Sequence, residues 1–261
     1  MATHQSRATS FGAIAEDYDR LRQAPPEAAV EWLLPPNCEH ALDLGAGTGL
    51  LTRALTGKVA HLIAVDPDAR MLAVLTARSP SVHAVEGRGE AIPLPDASQD
   101  AVLVSSAWHW MHPGHATAEV ARVLRDRGRF GVAWASRDRS IDWIRELDRL
   151  RVSTERYPDD GDVASRTRHL REVLLADNAP FDHVETASFP FATTMMVDDL
   201  AQMLATYSGV ITGSAEERAA GLARTRAALG SWFPNQDEIS VPMRAACWRA
   251  DRVRRDAIDD R

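Results

Sequence analysis

The stretch ALDLGAGTGLL, from Ala41 to Leu51, limits what this chain can fold into more than any other. Ala41, Leu42 and Leu44 read as a short buried strand. It breaks at three glycines, Gly45, Gly47 and Gly49, and resumes behind Thr48 as the helix opening LLTRAL. Strand, glycine turn and helix in that order let a backbone approach a bound cofactor closely. Asp43 stands two residues ahead of the first glycine, where a buried strand normally carries an apolar side chain. A carboxylate there costs free energy unless a cation or a hydrogen-bond donor meets it.

The flanking sequence repeats the alternation. Strand-like runs occur at 41–45, 61–66, 81–86, 100–106 and 129–135, with helical stretches at 48–57, 68–78 and 115–125. Nearly continuous apolar strands separated by helices predict a parallel sheet covered on both faces, with its ligand at the carboxyl edge of the strands. Past Ala135 the alternation stops. Residues 137–178 read as helical and charged. Two further strand-like runs, 182–195 and 238–249, enclose helical stretches at 197–208 and 214–230. Ahead of the core, Phe11 to Leu21 has helical spacing with Tyr18 on the packed face, and a second helix runs from Pro25-Pro26 to Leu34.

The expectation is therefore an α/β fold: a Rossmann-like, mostly parallel seven-stranded sheet with helices on both faces and a helical lid. The last two strands are expected antiparallel at the edge. Residues 1–40 would form a helical cover, 41–136 the cofactor-binding core, and 137–261 the remaining strands and the lid insertions, one domain in all.

At 261 residues the chain can bury a full core. Its net charge of -7 offers no general attraction to nucleic acid. Cys38 and Cys247 lie far apart without metal-ligand spacing, which suits a reducing compartment. The first ten residues, MATHQSRATS, lack an apolar leader segment, and no apolar run reaches membrane-spanning length. A cytoplasmic monomer or homodimer is expected.

Two cofactor classes use such a glycine turn. A dinucleotide needs the spacing GxGxxG, whereas here it is GxGxG with Leu50 following. Asp43 would also place negative charge beside two phosphates. S-adenosylmethionine reverses the sign, since it carries a sulfonium and an ammonium and no phosphate. Asp66 ends the second strand, where a carboxylate can accept both ribose hydroxyls of either cofactor or simply cap the next helix.

DLGAGTG, the acid in AVDPDARML, GRGEAIPLPDASQDAVLVSSAWHW and ARVLRDRGRFGVAW together resemble the class I S-adenosylmethionine-dependent methyltransferases, in the type 11 branch that contains the ubiquinone/menaquinone biosynthesis and trans-aconitate methyltransferases. The resemblance covers 11–136. It implies that Asp43, Gly45, Ala46 and Gly47 contact the methionine portion, that Gly49 permits the turn, and that Asp66 holds the ribose. Pro67 and Met71 would flank the adenine, with the Gly89 backbone beside the ring and Glu90 bracing the loop. Tyr18 would close over the cofactor. Position 88, usually acidic or amide in the family, is Arg88 here.

The fourth strand leaves through SSAWHWM, 105–111, where the transferred methyl should point. Ser105 and Ala107 would line the cofactor side, and Trp108, His109 and Trp110 would reach outward, with both tryptophans, Trp110 above all, alternatively core anchors. Trp108, His109, Trp143 and Tyr207 are the candidate acceptor contacts. His109 is the candidate catalytic residue, orienting or deprotonating an acceptor, and a structural role is the competing reading. With His112 and His115 it forms H-x-x-H-x-x-H, but Pro113-Gly114 breaks a shared helical face and no acid completes a set, so no metal is expected. A small-molecule acceptor is the expected partner. A non-catalytic binding module and a nicotinamide-dependent oxidoreductase are the alternatives.

Overall fold

The computed structural model describes residues 15–150, 170–176, 178–205 and 214–254. Two N-terminal helices, α1 (Ala15–Leu21) and α2 (Glu27–Leu33), precede the sheet. The core then runs β1 (His40–Leu44), α3 (Leu50–Leu55), β2 (His61–Asp66), α4 (Ala69–Arg78), β3 (His83–Glu86), β4 (Gln99–Ser105), a single 3-10 turn (Trp108–Trp110), α5 (Pro113–Val123) and β5 (Leu124–Arg137). After it come α6 (Asp142–Leu150), β6 (Phe181–Met196), α7 (Val197–Ala205), α8 (Ala215–Trp232) and β7 (Glu238–Arg252).

The strands form one seven-stranded sheet in the order β3-β2-β1-β4-β5-β7-β6. β1 to β5 pair in parallel, and β7 runs antiparallel to both β5 and β6. The expected architecture is what forms, with the strand order changing direction beside β1. β5 starts earlier than its apolar pattern suggests, because Leu124 pairs with Gln99 before a register shift. Arg127 takes a positive φ of 65° within that irregular start.

Local signals set the helix ends. Proline stands immediately ahead of α2 and begins α5, where a missing N–H costs nothing. Asp68 caps α4 by accepting from the Arg70 N–H at 3.0 Å. Ser214 and Glu217 form a reciprocal capping box at the start of α8.

Two apolar centres matter for the site. One lies along the sheet, where Phe130, Val132 and Trp134 of β5 pack with Trp108 and with Val120 and Val123 of α5. The other gathers Ile144 and Leu147 of α6, Leu200 and Met203 of α7, Leu229 of α8 and Leu21 of α1 against Met195, Ile239, Val241 and Met243. Because β6 ends and β7 begins beside the carboxyl end of β5, α7 and α8 leave the sheet at that same edge. Helix α1 bridges this layer to the core. Arg20 bonds Asp199 and Gln202 on α7, while Asp19 pairs with Arg53 at 2.6 Å. Pairs as exposed as Arg20–Asp199 contribute about 0–1 kcal/mol. A fully buried leucine contributes ~1.5–3 kcal/mol, so Leu21, 1% exposed, is the stronger anchor. No helix among the described residues is long and apolar enough to cross a membrane.

Candidate functional site

The glycine turn is fastened to the neighbouring strand. Val65 O accepts from the N–H groups of Gly45 and Ala46 at 2.8 and 3.0 Å. Gly45 has φ +72°, and a β-carbon on it would sit 2.5 Å from Cβ of Ala107, so the start of the turn presses backbone against the exit of β4. Gly49, φ +87°, is the residue ahead of α3, and a β-carbon there would meet Leu75 at 2.8 Å. In-register pairing of Leu44 with Val65 brings the turn level with Asp66. The Gly47 N–H donates to Asp66 Oδ2 at 2.8 Å, and the Asp68 N–H donates to Oδ1 at 2.9 Å. Asp66 thus ties two loops together. Each of its oxygens still has acceptor capacity for a hydroxyl.

Asp43 is fully buried at the centre of the sheet. Its Oδ2 accepts from the Thr52 hydroxyl at 2.6 Å, while Oδ1 has no hydrogen-bond partner among the described residues. The buried Thr48 hydroxyl is likewise unpartnered. Burial pushes Asp43 up to about 7, with the nearby Asp66 charge adding to the rise against the Thr52 hydrogen bond. Burial also raises Asp66 to about 6, and Asp68 adds to it against the two backbone donors. Neither carboxylate forms an ion pair among the described residues. Two buried acids beside a glycine turn, one oxygen unpartnered, fit a cationic ligand with hydroxyls; they do not fit a pyrophosphate.

Around this centre, Pro67 is half-buried and Met71 is 6% exposed, its Cε standing 3.3 Å from where a β-carbon of Gly47 would lie. Tyr18 packs with Ala15, Met71 and Val74 and has the Arg22 guanidinium 5.4 Å above its ring. Gly89 is buried, and Arg88 is exposed, bridging to Ala91. Glu90 Oε1 accepts the His112 N–H at 2.6 Å, which ties this loop to the start of α5. Met111 abuts both Gly45 and Gly89, with its Sδ 2.5 Å from where a β-carbon of Gly89 would lie.

Beyond β4 the chain turns abruptly. Ser105 is half-buried, and Ser106 takes a φ of 55°, its N–H held by Ala133 O at 2.8 Å. A non-glycine residue in the left-handed region stores backbone strain where the fold needs a sharp exit. Of the two tryptophans, Trp108 is the one that takes the core role. Trp108 is 1% exposed and packs on Phe130 at 5.0 Å, so it is a core anchor and its ring does not reach outward. The apolar surface of α5 and β5 gives that ring more burial than any outward pose. Trp110 is half-buried beside His109, ring centroids 4.7 Å apart. His109 Nδ1 accepts from the Trp134 indole N–H at 3.4 Å. Trp143 packs edge-on to Phe233 at 5.1 Å within the helical layer. Tyr207 lies outside the described residues. His112 and His115 stack at 4.3 Å, and among the described residues no three His, Cys, Asp or Glu side chains are grouped to hold a metal.

Three participants escaped the sequence. Thr52 looks like any first-turn helix residue, and only the fold shows it under Asp43. Met111 carries no mark apart from its place after β4. Trp134 reads as one more apolar position in FGVAWA, and its polar edge acquires meaning only beside His109.

Comparison with known proteins gives a consistent set of likenesses. A family model described as a methyltransferase domain matches residues 42–132. The chain is 38% identical over 243 residues to an uncharacterized methyltransferase of Mycobacterium tuberculosis, covering 92% of this chain and 95% of that protein. It is 30% identical over 214 residues to an uncharacterized methyltransferase-like protein of Schizosaccharomyces pombe, covering 80% and 81%. Among solved structures, a putative type II methyltransferase from Anaeromyxobacter dehalogenans aligns with a TM-score of 0.65 at 24% identity over 88% of this chain and 97% of that one, a likeness of fold.

Proposed function

Because the chain belongs to the class I S-adenosylmethionine-dependent methyltransferases, we propose that it methylates an oxygen or carbon of a small-molecule acceptor: a carboxylate, a phenol or a quinol-like compound. The observation that carries the cofactor assignment is the pair of buried carboxylates, Asp43 and Asp66, raised by burial and lacking an ion-pair partner among the described residues. When bound, S-adenosylmethionine supplies an electrophilic methyl whose bonding pair stays with the departing neutral sulfide.

The chain's own work is then positioning and exclusion of water. Asp43, Gly45, Ala46 and Gly47 hold the methionine end, with the unpartnered Asp43 oxygen receiving positive charge directly or through a water. Asp66 accepts the ribose hydroxyls. Pro67, Met71 and the Gly89 backbone contain the adenine, and Glu90 keeps their loop against α5. Tyr18 covers the cofactor from α1, and Ser105 borders the transfer region at the end of β4. The layer of α6, α7 and α8 serves as the lid, with Trp143 inside its packing; Tyr207 remains a candidate acceptor contact. A phenol or quinol would need a base, for which His109 is the candidate, whereas a carboxylate would need none.

The test is turnover. Formation of S-adenosylhomocysteine is measured against a panel of carboxylic acids, phenols and quinols. Product that depends on the acceptor is expected with at least one class. Tight cofactor binding with no product from any acceptor would instead indicate a non-catalytic module.

A further inference from the structure

Gly45, Gly47 and Gly49 leave the turn after β1 with little stiffness of its own, because glycine takes either sign of φ at small cost. Something outside the turn has to hold it. Arg53 of α3 donates to Thr48 O at 2.9 Å and, through its other terminal nitrogen, to Asp19 Oδ1 of α1 at 2.6 Å. The Thr48 carbonyl shares a peptide plane with the Gly49 N–H, which donates to Ala46 O at 2.9 Å. Both ends of that plane are therefore fastened. The Asp19 side chain is 8% exposed and also faces Arg78 Nε of α4 at 3.8 Å. One carboxylate on α1 thus meets the helices that follow β1 and β2, the strands whose ends carry the glycine turn and Asp66. Its neighbour Tyr18 packs with Met71 and Val74. Arg20 turns instead to α7, with a side chain 45% exposed, where an ion pair is screened and weak. Leu21 anchors α1 to the helical layer, and Asp19 is its tie to the cofactor side.

We propose that Arg53 is a positioning residue for S-adenosylmethionine: it latches α1 to the glycine turn through Asp19, so that breaking the latch loosens the turn and speeds release of the cofactor. The planar guanidinium suits the task, since two of its nitrogens reach separate acceptors in a fixed geometry and both bonds are charge-assisted. Arg53 acts through the Thr48 carbonyl, and Asp19 acts through Arg53. Neither is asked to touch the cofactor. The helix that covers the site and the turn that holds the methionine end are thereby made one unit. This rests on the methyltransferase reading and adds to it the means by which the cofactor is retained.

Amide hydrogen exchange on the ligand-free protein reads the latch without cofactor. Asp19→Ala alters no atom of the turn, yet it should speed exchange of the Gly47 and Gly49 amides. Unchanged exchange at both overturns the proposal. Calorimetry and stopped-flow dissociation with S-adenosylmethionine then read retention. Asp19→Ala and Arg53→Met should each bind roughly tenfold more weakly, with the loss in the dissociation rate. Since both break one latch, the double variant should bind little more weakly than Arg53→Met alone. Unchanged affinity in Asp19→Ala, or losses that simply add, overturns the proposal. Should Arg53→Met fail to fold, Asp19→Ala decides alone through exchange and affinity. If the wild type bound no S-adenosylmethionine, the methyltransferase reading would fall and the retention claim with it, whereas normal wild-type binding beside an unmoved Asp19→Ala would strike the latch alone.

Discussion

Replacing Asp43 by asparagine should change how the stability of the ligand-free protein depends on pH. The carboxyl is raised from its ordinary 3.8 to about 7, chiefly by burial. A folded-state pKa above the unfolded one means that the folded protein holds the proton more tightly. The contribution is fully present below pH 4 and is lost as pH rises through 7. The whole rise corresponds to about 4 kcal/mol, of which about 3 kcal/mol falls between pH 5 and pH 8. Asp66, raised to about 6, adds about 1 kcal/mol in the same window and remains in the variant. Asparagine keeps an oxygen for the Thr52 hydroxyl but cannot ionise. Urea unfolding at pH 5, 6, 7 and 8 should therefore show the wild type losing stability as pH rises, with the variant much flatter and the more stable of the two at pH 8. Saturating S-adenosylmethionine should shrink the wild-type slope, because its positive charge favours the ionised carboxylates. Equal pH slopes for wild type and variant would refute the reasoning, since they would mean that Asp43 is not a strained buried acid.

The remaining expectations follow from single contacts. Asp66→Ala removes the ribose acceptor and the tie to the Gly47 N–H, and should weaken S-adenosylmethionine binding by roughly 1–3 kcal/mol in calorimetry; an unchanged affinity would remove Asp66 from the site. Gly45→Ala forces a β-carbon to 2.5 Å from Ala107 at a φ of +72°, so a lowered melting temperature and lost cofactor binding should appear together. Ile144→Ala empties a fully buried position in the helical layer and should cost about 2–5 kcal/mol in urea unfolding, with the Gly47–Asp66 tie intact and cofactor affinity changed far less than by Asp66→Ala.

Legibility in the sequence tracked how local the physics was. The strands β1, β2 and β4 were readable because each is a mostly apolar run between turn signals, as parallel pairing with both faces covered requires. The glycine turn was readable because Gly45 and Gly49 hold backbone angles that other residues adopt at a cost. Asp43 stood out for the opposite reason, as a charge in a row of apolar positions. Trp108 and Trp110 could not be sorted by spacing, because a one-turn 3-10 segment gives no periodicity. Only the ring of Phe130, contributed by another element, decided which of them is buried. Thr52 and Trp134 act through partners 9 and 25 residues away, and a side chain's polar edge carries no sign of what will meet it. The helical layer was legible as helices, while its arrangement depends on α1 and the β6–β7 pair meeting it in three dimensions.

Isothermal titration of the ligand-free protein with S-adenosylmethionine, and separately with NAD, tests the central claim most directly. A cleft built on Asp43 and Asp66 should take up the positively charged nucleoside with saturable heat, strengthen that binding as pH rises through 6 to 7, and give no heat with the dinucleotide. Binding of NAD in preference, or S-adenosylmethionine affinity that does not change across that pH range, would contradict it.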